Sequence, residues 1–315
     1  MRKPRLPLLF VVVTAVTAIV TGSLPVGLSS AATYPVPYTF AAGILAGSEP
    51  VGTPPPGADN WSCRPSATHP EPVVLVHGLL ANQTDNWQTI SPLLADAGYC
   101  VFALTYGTEP GESEFGGLEP MEQSAAVLAG FVTRVLAASG AAKVDIVGHS
   151  EGATMPDYYV RFLGGAGFVD HYVAISGVFG GTNLGGLGTL DREAAPFGLS
   201  PAASALYSAE CQSCGEFLIG SAFVQKLNAG SGAAAAGVTY TDIATRNDEL
   251  VEPYTSGFLQ GPNVTNLTVQ RQCPLDQSDH LAIVADPVAA RDVLNALDPA
   301  RAGPVPCTLV LPAVG

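Results

Sequence analysis

The sequence predicts an α/β fold: a mainly parallel sheet with helices on both faces and one cap-like insertion. Three observations predict it. Short apolar runs bounded by turn residues, such as Val73-Val74-Leu75-Val76, have the length and composition of strands buried on both faces. Helical patterns alternate with those runs, as parallel strands require of their crossovers. One strand–helix junction reads Gly148-His149-Ser150-Glu151-Gly152, the Gly-X-Ser-X-Gly turn that holds a serine clear of the chain at the start of a helix. Bulk at either outer position of that turn would collide with the neighbouring strand or helix, and glycine has no Cβ to collide.

In chain order, Thr33 to Pro72 is rich in proline and glycine and predicts an extended arm on the surface. The strand at 73–76 leads directly into His77-Gly78-Leu79-Leu80. A short helix is expected around 86–97, followed by a strand at 99–104 and a Gly- and Glu-containing loop at 106–120. Met121 to Ser139 predicts a long helix, with Val127, Leu128, Phe131, Val135 and Leu136 at helical spacing. The elbow strand at 144–147 and helix at 153–163 come next, then a strand at 172–175. The segment 180–237 is a Gly/Ala-rich insertion. Strands at 240–244 and 264–270 and a closing helix at 287–297 complete the set, with no internal repeat.

The opening Met1-Arg2-Lys3-Pro4-Arg5 is basic, 6–20 is apolar, and small residues follow up to Ala32. That pattern predicts a secretory leader over 1–32, cleaved near Ala32, with 33–315 as a single domain. The expected destination is extracellular. The formal charge is −14, from 13 basic and 27 acidic residues; the leader holds three of the basic ones, so its removal leaves 10 − 27 = −17. A surface of that sign repels nucleic acid and anionic membranes, so contact with a lipid–water interface would rest on apolar side chains. No metal-spaced His cluster and no phosphate-binding glycine motif occurs, so no cofactor is expected; the protein is expected to act as a monomer.

The six cysteines, an even number in a chain read as secreted, predict three disulfides. Fifteen pairings are possible. The pairing taken is Cys63–Cys100, which would pin the arm to the sheet, with Cys211–Cys214 and Cys273–Cys307, the last pinning the C-terminal tail. Cys211-Gln212-Ser213-Cys214 also has the form of half a zinc site or a redox pair, but no second such pair exists to complete a zinc site.

A serine hydroxyl needs an adjacent base, and the base needs an orienting acid. Where the elbow occurs, acid and histidine follow the serine on loops after later strands. Of the five histidines, His149 lies inside the elbow, His77 precedes the serine, His69 sits in the arm and His171 enters a strand. His280, in Asp279-His280-Leu281 after the last strand, is the candidate base. The acid is sought in the loop Thr245 to Pro253. Asp248 is the first candidate, with Glu249, Glu252 and Asp242 as rivals. Two backbone N–H groups should hold a developing oxyanion: that of Glu151, after the serine, and that of Leu79, after the first strand.

With those residues placed, the chain resembles the secreted bacterial lipases of the class 2 lipase family, especially those of actinobacteria. The resemblance rests on Val74-Leu75-Val76-His77-Gly78, on the elbow followed by Met155-Pro156-Asp157-Tyr158-Tyr159, on Asp248-Glu249-Leu250-Val251-Glu252-Pro253-Tyr254, and on Asp279-His280-Leu281. It implies an α/β-hydrolase fold and hydrolysis of carboxylic esters, often triacylglycerols, through Ser150, Asp248 and His280 with Leu79 and Glu151 as oxyanion donors. Two features depart from the pattern. Glu151 stands where such elbows often carry glutamine, and the sheet starts at the His-Gly strand, trimmed at its N-terminal edge. An acyltransferase or polymer esterase would use the same triad on other acceptors. A binding protein on the same scaffold would not need the triad intact. The insertion's Phe197, Leu199, Leu206, Phe217, Leu218, Ile219, Phe223 and Leu227 suit either a cap over acyl chains or ordinary core filling.

Overall fold

The computed structural model describes residues 33–108, 114–183, 211–229 and 234–313. The leader expected at 1–32 lies outside them. Among the described residues the elements are α1 (Ala41–Ala46), β1 (Val73–Val76), α2 (Gln83–Asn86), α3 (Ile90–Asp96), β2 (Val101–Leu104), α4 (Met121–Ser139), β3 (Val144–His149), α5 (Glu151–Phe162), β4 (Val169–Ile175), α6 (Ala222–Leu227), β5 (Thr239–Ala244), β6 (Val264–Thr268), α7 (Val269–Gln272) and α8 (Pro287–Leu297). The six strands form one parallel sheet in the order β2-β1-β3-β4-β5-β6.

Alternation along the strands sends side chains to two cores. Val74, Val76, Phe102, Ile146, Tyr172 and Tyr240 pack with Leu128, Val132 and Val135 of α4 and Met155 and Tyr159 of α5. Val73, Leu75, Val101, Val147, Val173 and Ile243 pack on the opposite face with Trp87, with Ile90 and Leu94 of α3, and with Val288 and Val293 of α8. Both faces being covered is the reason the strands read as unbroken apolar runs.

Three local expectations are corrected. The arm is not wholly extended, because Ala41–Ala46 coils into α1, with Gly43 pressed against the backbone of Asp85 so closely that a Cβ would overlap its carbonyl oxygen. The helix expected over 86–97 is two short ones. Pro92 has no N–H to give, so α3 must begin late enough to hold it in its first turn, where no intrahelical bond is needed. The last strand stops at Thr268, and Val269–Gln272 turns helical to close on Cys273. On α4 the buried stripe is Met121, Ala125, Leu128, Val132 and Val135, while Val127 is exposed and Phe131 packs on Trp61.

The disulfides are Cys63–Cys100, Cys211–Cys214 and Cys273–Cys307. The arm runs beside the edge strand β2: Asp59 N–H donates to Val101 O at 2.9 Å, and Ala103 N–H donates to Asp59 Oδ1 at 3.0 Å. Trp61 tilts on Phe102 at 4.9 Å. Among the described residues no helix is long and apolar enough to cross a membrane.

Candidate functional site

Parallel strands bring their C-terminal ends to one edge of the sheet, so the loops after β1, β3, β5 and β6 meet there. The elbow follows β3, a central strand. Its backbone is forced: Ser150 has φ 57° and ψ −116°, a region L-residues avoid. The flanking glycines are required by contact. A Cβ on Gly148 would overlap the Gly152 carbonyl, and one on Gly152 would run into the carbonyl oxygens of Val76 and His77. Behind the serine, Tyr172 OH donates to Ala153 O at 2.6 Å and ties β4 to the first turn of α5.

The structure brings Ser150, His280 and Asp248 together, although 130 residues separate the first two. Ser150 Oγ lies 2.9 Å from His280 Nε2, and His280 Nδ1 lies 2.9 Å from both carboxylate oxygens of Asp248. The carboxylate also accepts from Val251 N–H at 2.8 Å and Leu250 N–H at 3.1 Å. Burial alone would raise the Asp248 pKa, but the His280 charge, its hydrogen bond and the Val251 N–H outweigh burial and hold it below the usual value. Burial would likewise lower the His280 pKa, but Asp248 outweighs it, and the imidazole titrates above its ordinary 6.5. With Asp248 ionised and Nδ1–H donating to it, the neutral ring presents a bare Nε2 to the serine hydroxyl.

The rival carboxylates are elsewhere. Glu249 accepts from the backbone N–H of His280 at 3.2 Å and does not reach the ring, Asp242 accepts from Leu259 N–H at 2.7 Å, and Glu252 is exposed. Asp279 braces the His280 loop by accepting from Ala282 N–H at 2.8 Å and Ala313 N–H at 2.6 Å. Thr245 Oγ1, after β5, donates to Ser278 O at 2.5 Å and so joins the loops that carry Asp248 and His280.

Opposite them, the end of β1 is set by His77. Its Nδ1–H donates to Gly78 O at 2.8 Å, its Nε2 accepts from Tyr106 N–H at 3.2 Å, and its ring stacks on Tyr106 at 4.3 Å. Both ring atoms are thereby used by a neutral ring, and burial lowers the pKa of His77 to about 4. Gly78 faces the serine so closely that a Cβ there would lie 3.2 Å from Ser150 Cβ. The N–H groups of Leu79 and Glu151 have no acceptor among the described residues.

The Glu151 side chain is fully buried, and neither carboxyl oxygen has a hydrogen-bond partner among the described residues. The hydroxyls of Tyr106 and Ser213 face it, but their hydrogens go elsewhere, to His77 O at 2.8 Å and to Gly117 O at 2.5 Å. Burial, with the nearby Glu216, pushes its pKa well above the ordinary range. Burial without a charged partner favours the protonated form, which can donate its own proton to one of those hydroxyl oxygens.

Of the insertion's apolar residues, Phe197, Leu199 and Leu206 lie outside the described residues. Phe217, Phe223 and Leu227 are buried in the core on the α5 side, with Phe223 stacked on Tyr158 at 5.9 Å, while Ile219 is exposed. Phe217, Phe223 and Leu227 thus belong to the core. Sequence reasoning missed Asn86, whose Oδ1 accepts from Gly78 N–H at 3.2 Å, and Tyr106. Neither carries a local signal, since each acts on a segment distant in the chain.

The lipase (class 2) family profile matches residues 70–292, well over half the chain. Among solved structures the chain is similar to Aspergillus fumigatus lipase B, with a TM-score of 0.60 and 20% identity over 80% of this chain, though it spans only 57% of that protein. It is also similar to the mature form of Bacillus licheniformis lipase BlEst2, with a TM-score of 0.51 and 15% identity over 79% of this chain and 96% of that one. At these identities the structural likeness speaks for the fold, and the profile speaks for the family. The chain belongs to the class 2 lipase family and has the α/β-hydrolase fold.

Proposed function

We propose that the protein is a secreted serine hydrolase of carboxylic esters, acylglycerols among them, with Ser150 as nucleophile, His280 as general base and Asp248 as orienting acid. The observation that carries this reading is the unbroken chain Ser150 Oγ–His280 Nε2 and His280 Nδ1–Asp248, each link at 2.9 Å. Ser150 attacks the ester carbonyl as His280 takes its proton. The N–H groups of Leu79 and Glu151 hold the oxyanion, at the positive end of α5. His280 then protonates the departing alcohol, and water resolves the acyl-enzyme by the same steps reversed in role. Three disulfides and the basic-then-apolar opening of the chain support export to an oxidising medium. Family membership supports lipid esters as substrates, met at an oil–water interface through apolar contacts by a monomer.

The test is hydrolysis of p-nitrophenyl esters of rising acyl length and of emulsified triacylglycerol, with Ser150→Ala as control. Serine-dependent turnover with an optimum at long acyl chains is expected. An optimum at short chains would confine the activity to soluble esters, and turnover surviving Ser150→Ala would remove the reading.

A further inference from the structure

His149 occupies the X position between Gly148 and Ser150, and the mechanism above makes no use of it. Its side chain is 4% exposed and points away from Ser150 toward two other segments. Nε2 lies 3.0 Å from the backbone carbonyl oxygen of His280, 131 residues along the chain. Nδ1 lies 3.2 Å from Asn86 Oδ1, which also accepts from Gly78 N–H at 3.2 Å. The imidazole therefore spans the gap between the loop that carries the base and the strand end that carries Gly78 and Leu79.

The chemistry of the partners fixes the ring's proton. Both neighbours are acceptors, and the single proton goes to the nearer one, the backbone carbonyl at 3.0 Å, so Nε2 is the protonated nitrogen. Burial, with the charge of His280 next, lowers the pKa of His149 to about 3, so the ring has a single proton and Nδ1 is bare. Asp248, which favours a charged ring, and His77, which opposes it, are the other titratable groups that face it. Gly78 N–H holds the Asn86 oxygen in its place, so Oδ1 meets the bare Nδ1 as a packing contact and not as a hydrogen bond. The space is closed on the remaining side: a Cβ on Gly78 would lie 3.3 Å from Nδ1.

We propose that His149 is a positioning residue, whose Nε2–H holds the backbone of His280 and sets the distance between the base loop and the oxyanion loop. This rests on the Ser150–His280 reading above. A side chain that only filled space would need bulk; this one needs a donor at the Nε2 position. Releasing the His280 carbonyl lets the loop drift, and a drift of about 1 Å in a reacting group lowers turnover by up to roughly a hundredfold.

The experiment uses the purified whole protein and two variants. Glutamine places an N–H near the Nε2 position, and asparagine does not reach it. His149→Asn is expected to lower kcat roughly tenfold to a hundredfold with KM changed by less than about twofold, and His149→Gln to recover most of that loss. In His149→Asn the pH–rate midpoint should move down toward the free imidazole value, as His280 loosens from Asp248. Equal kcat in the two variants would overturn the proposal, whatever their melting temperatures. Histidine 15N resonances of the wild-type protein give a second reading that needs no variant. A ring protonated at Nε2 and silent between about pH 5 and 9 is expected; a ring protonated at Nδ1, or one titrating in that range, overturns it. Failure of the catalytic reading is separate, since Ser150→Ala would then retain turnover while the His149 resonances stay as expected.

Discussion

Replacing Asp248 with asparagine removes one charge and changes almost nothing else, so its effect can be worked out from the contacts. Oδ1 of Asp248 accepts from Leu250 N–H and Val251 N–H at 3.1 and 2.8 Å. An asparagine oxygen keeps both bonds, which fixes its amide nitrogen at the Oδ2 position, 2.9 Å from His280 Nδ1. The amide N–H opposes an Nδ1 proton there, and Oδ1, also 2.9 Å from Nδ1, already accepts two backbone N–H groups, so the tautomer with the proton on Nε2 is favoured. That nitrogen then cannot accept from Ser150. The same tautomer error in a serine triad lowers kcat by roughly 10³ to 10⁴, about 4 to 5.5 kcal/mol in the barrier. The assay is kcat for a soluble p-nitrophenyl ester, alongside a thermal midpoint to show that the surviving backbone bonds keep the fold. Turnover within about threefold of wild type in a folded variant would refute the assignment of the acid role to Asp248.

The rate itself should climb with pH through the titration of His280, with its midpoint above 6.5, since only the neutral ring accepts a proton; a rate that falls across neutral pH contradicts the base. Glu151→Gln should stabilise the protein by an amount that grows with pH. The folded-state pKa of Glu151 is raised, so wild-type stability is full below the unfolded carboxyl value and is lost as pH rises through the folded one. Thermal midpoints at pH 5 and pH 8 check it, and equal shifts at both would show that the acid is not held neutral. Two glycines should respond in opposite directions. Gly130→Ala, exposed in the middle of α4 with nothing within 4 Å of the new Cβ, should add about 0.5 to 1 kcal/mol in urea unfolding. Gly152→Ala, whose Cβ meets two carbonyl oxygens of the β1 end, should abolish soluble folded protein.

Elements that carry their own punctuation were legible in the sequence to the residue. Helix α4 ends at Gly140 with φ 76°, and α8 opens with Asp286 accepting from Val288 N–H at 2.6 Å and Pro287 in its first turn. The central strands were legible because burial on both faces leaves unbroken apolar runs. What the sequence hid was set by distant partners. Val269 and Gln270 continue an extended pattern from β6, yet turn helical. Gln270 then accepts from Arg246 N–H at 2.8 Å and donates to Thr245 Oγ1 at 2.7 Å, bonds no local pattern announces. At the site, motif order was enough to bring Ser150, Asp248 and His280 forward as neighbours. It could not supply Asn86, Tyr106 or the second role of His149, because polar residues inside short helices and turns look alike until the segments they bridge are assembled.

The arm beside β2 has a consequence for how the chain must mature. An outermost strand of a parallel sheet offers a row of unclaimed amides to any other chain that passes. Here the row is met from within, by the segment around Ala58 and Asp59, and that segment is fastened by Cys63 to Cys100 at the mouth of the strand. Until the two thiols are oxidised, the flap is held by non-covalent contacts alone, the Asp59 hydrogen bonds and the Trp61 ring among them. A polypeptide detained in reducing surroundings would therefore be prone to stick to its own copies, and one delivered to an oxidising medium would seal its rim for good.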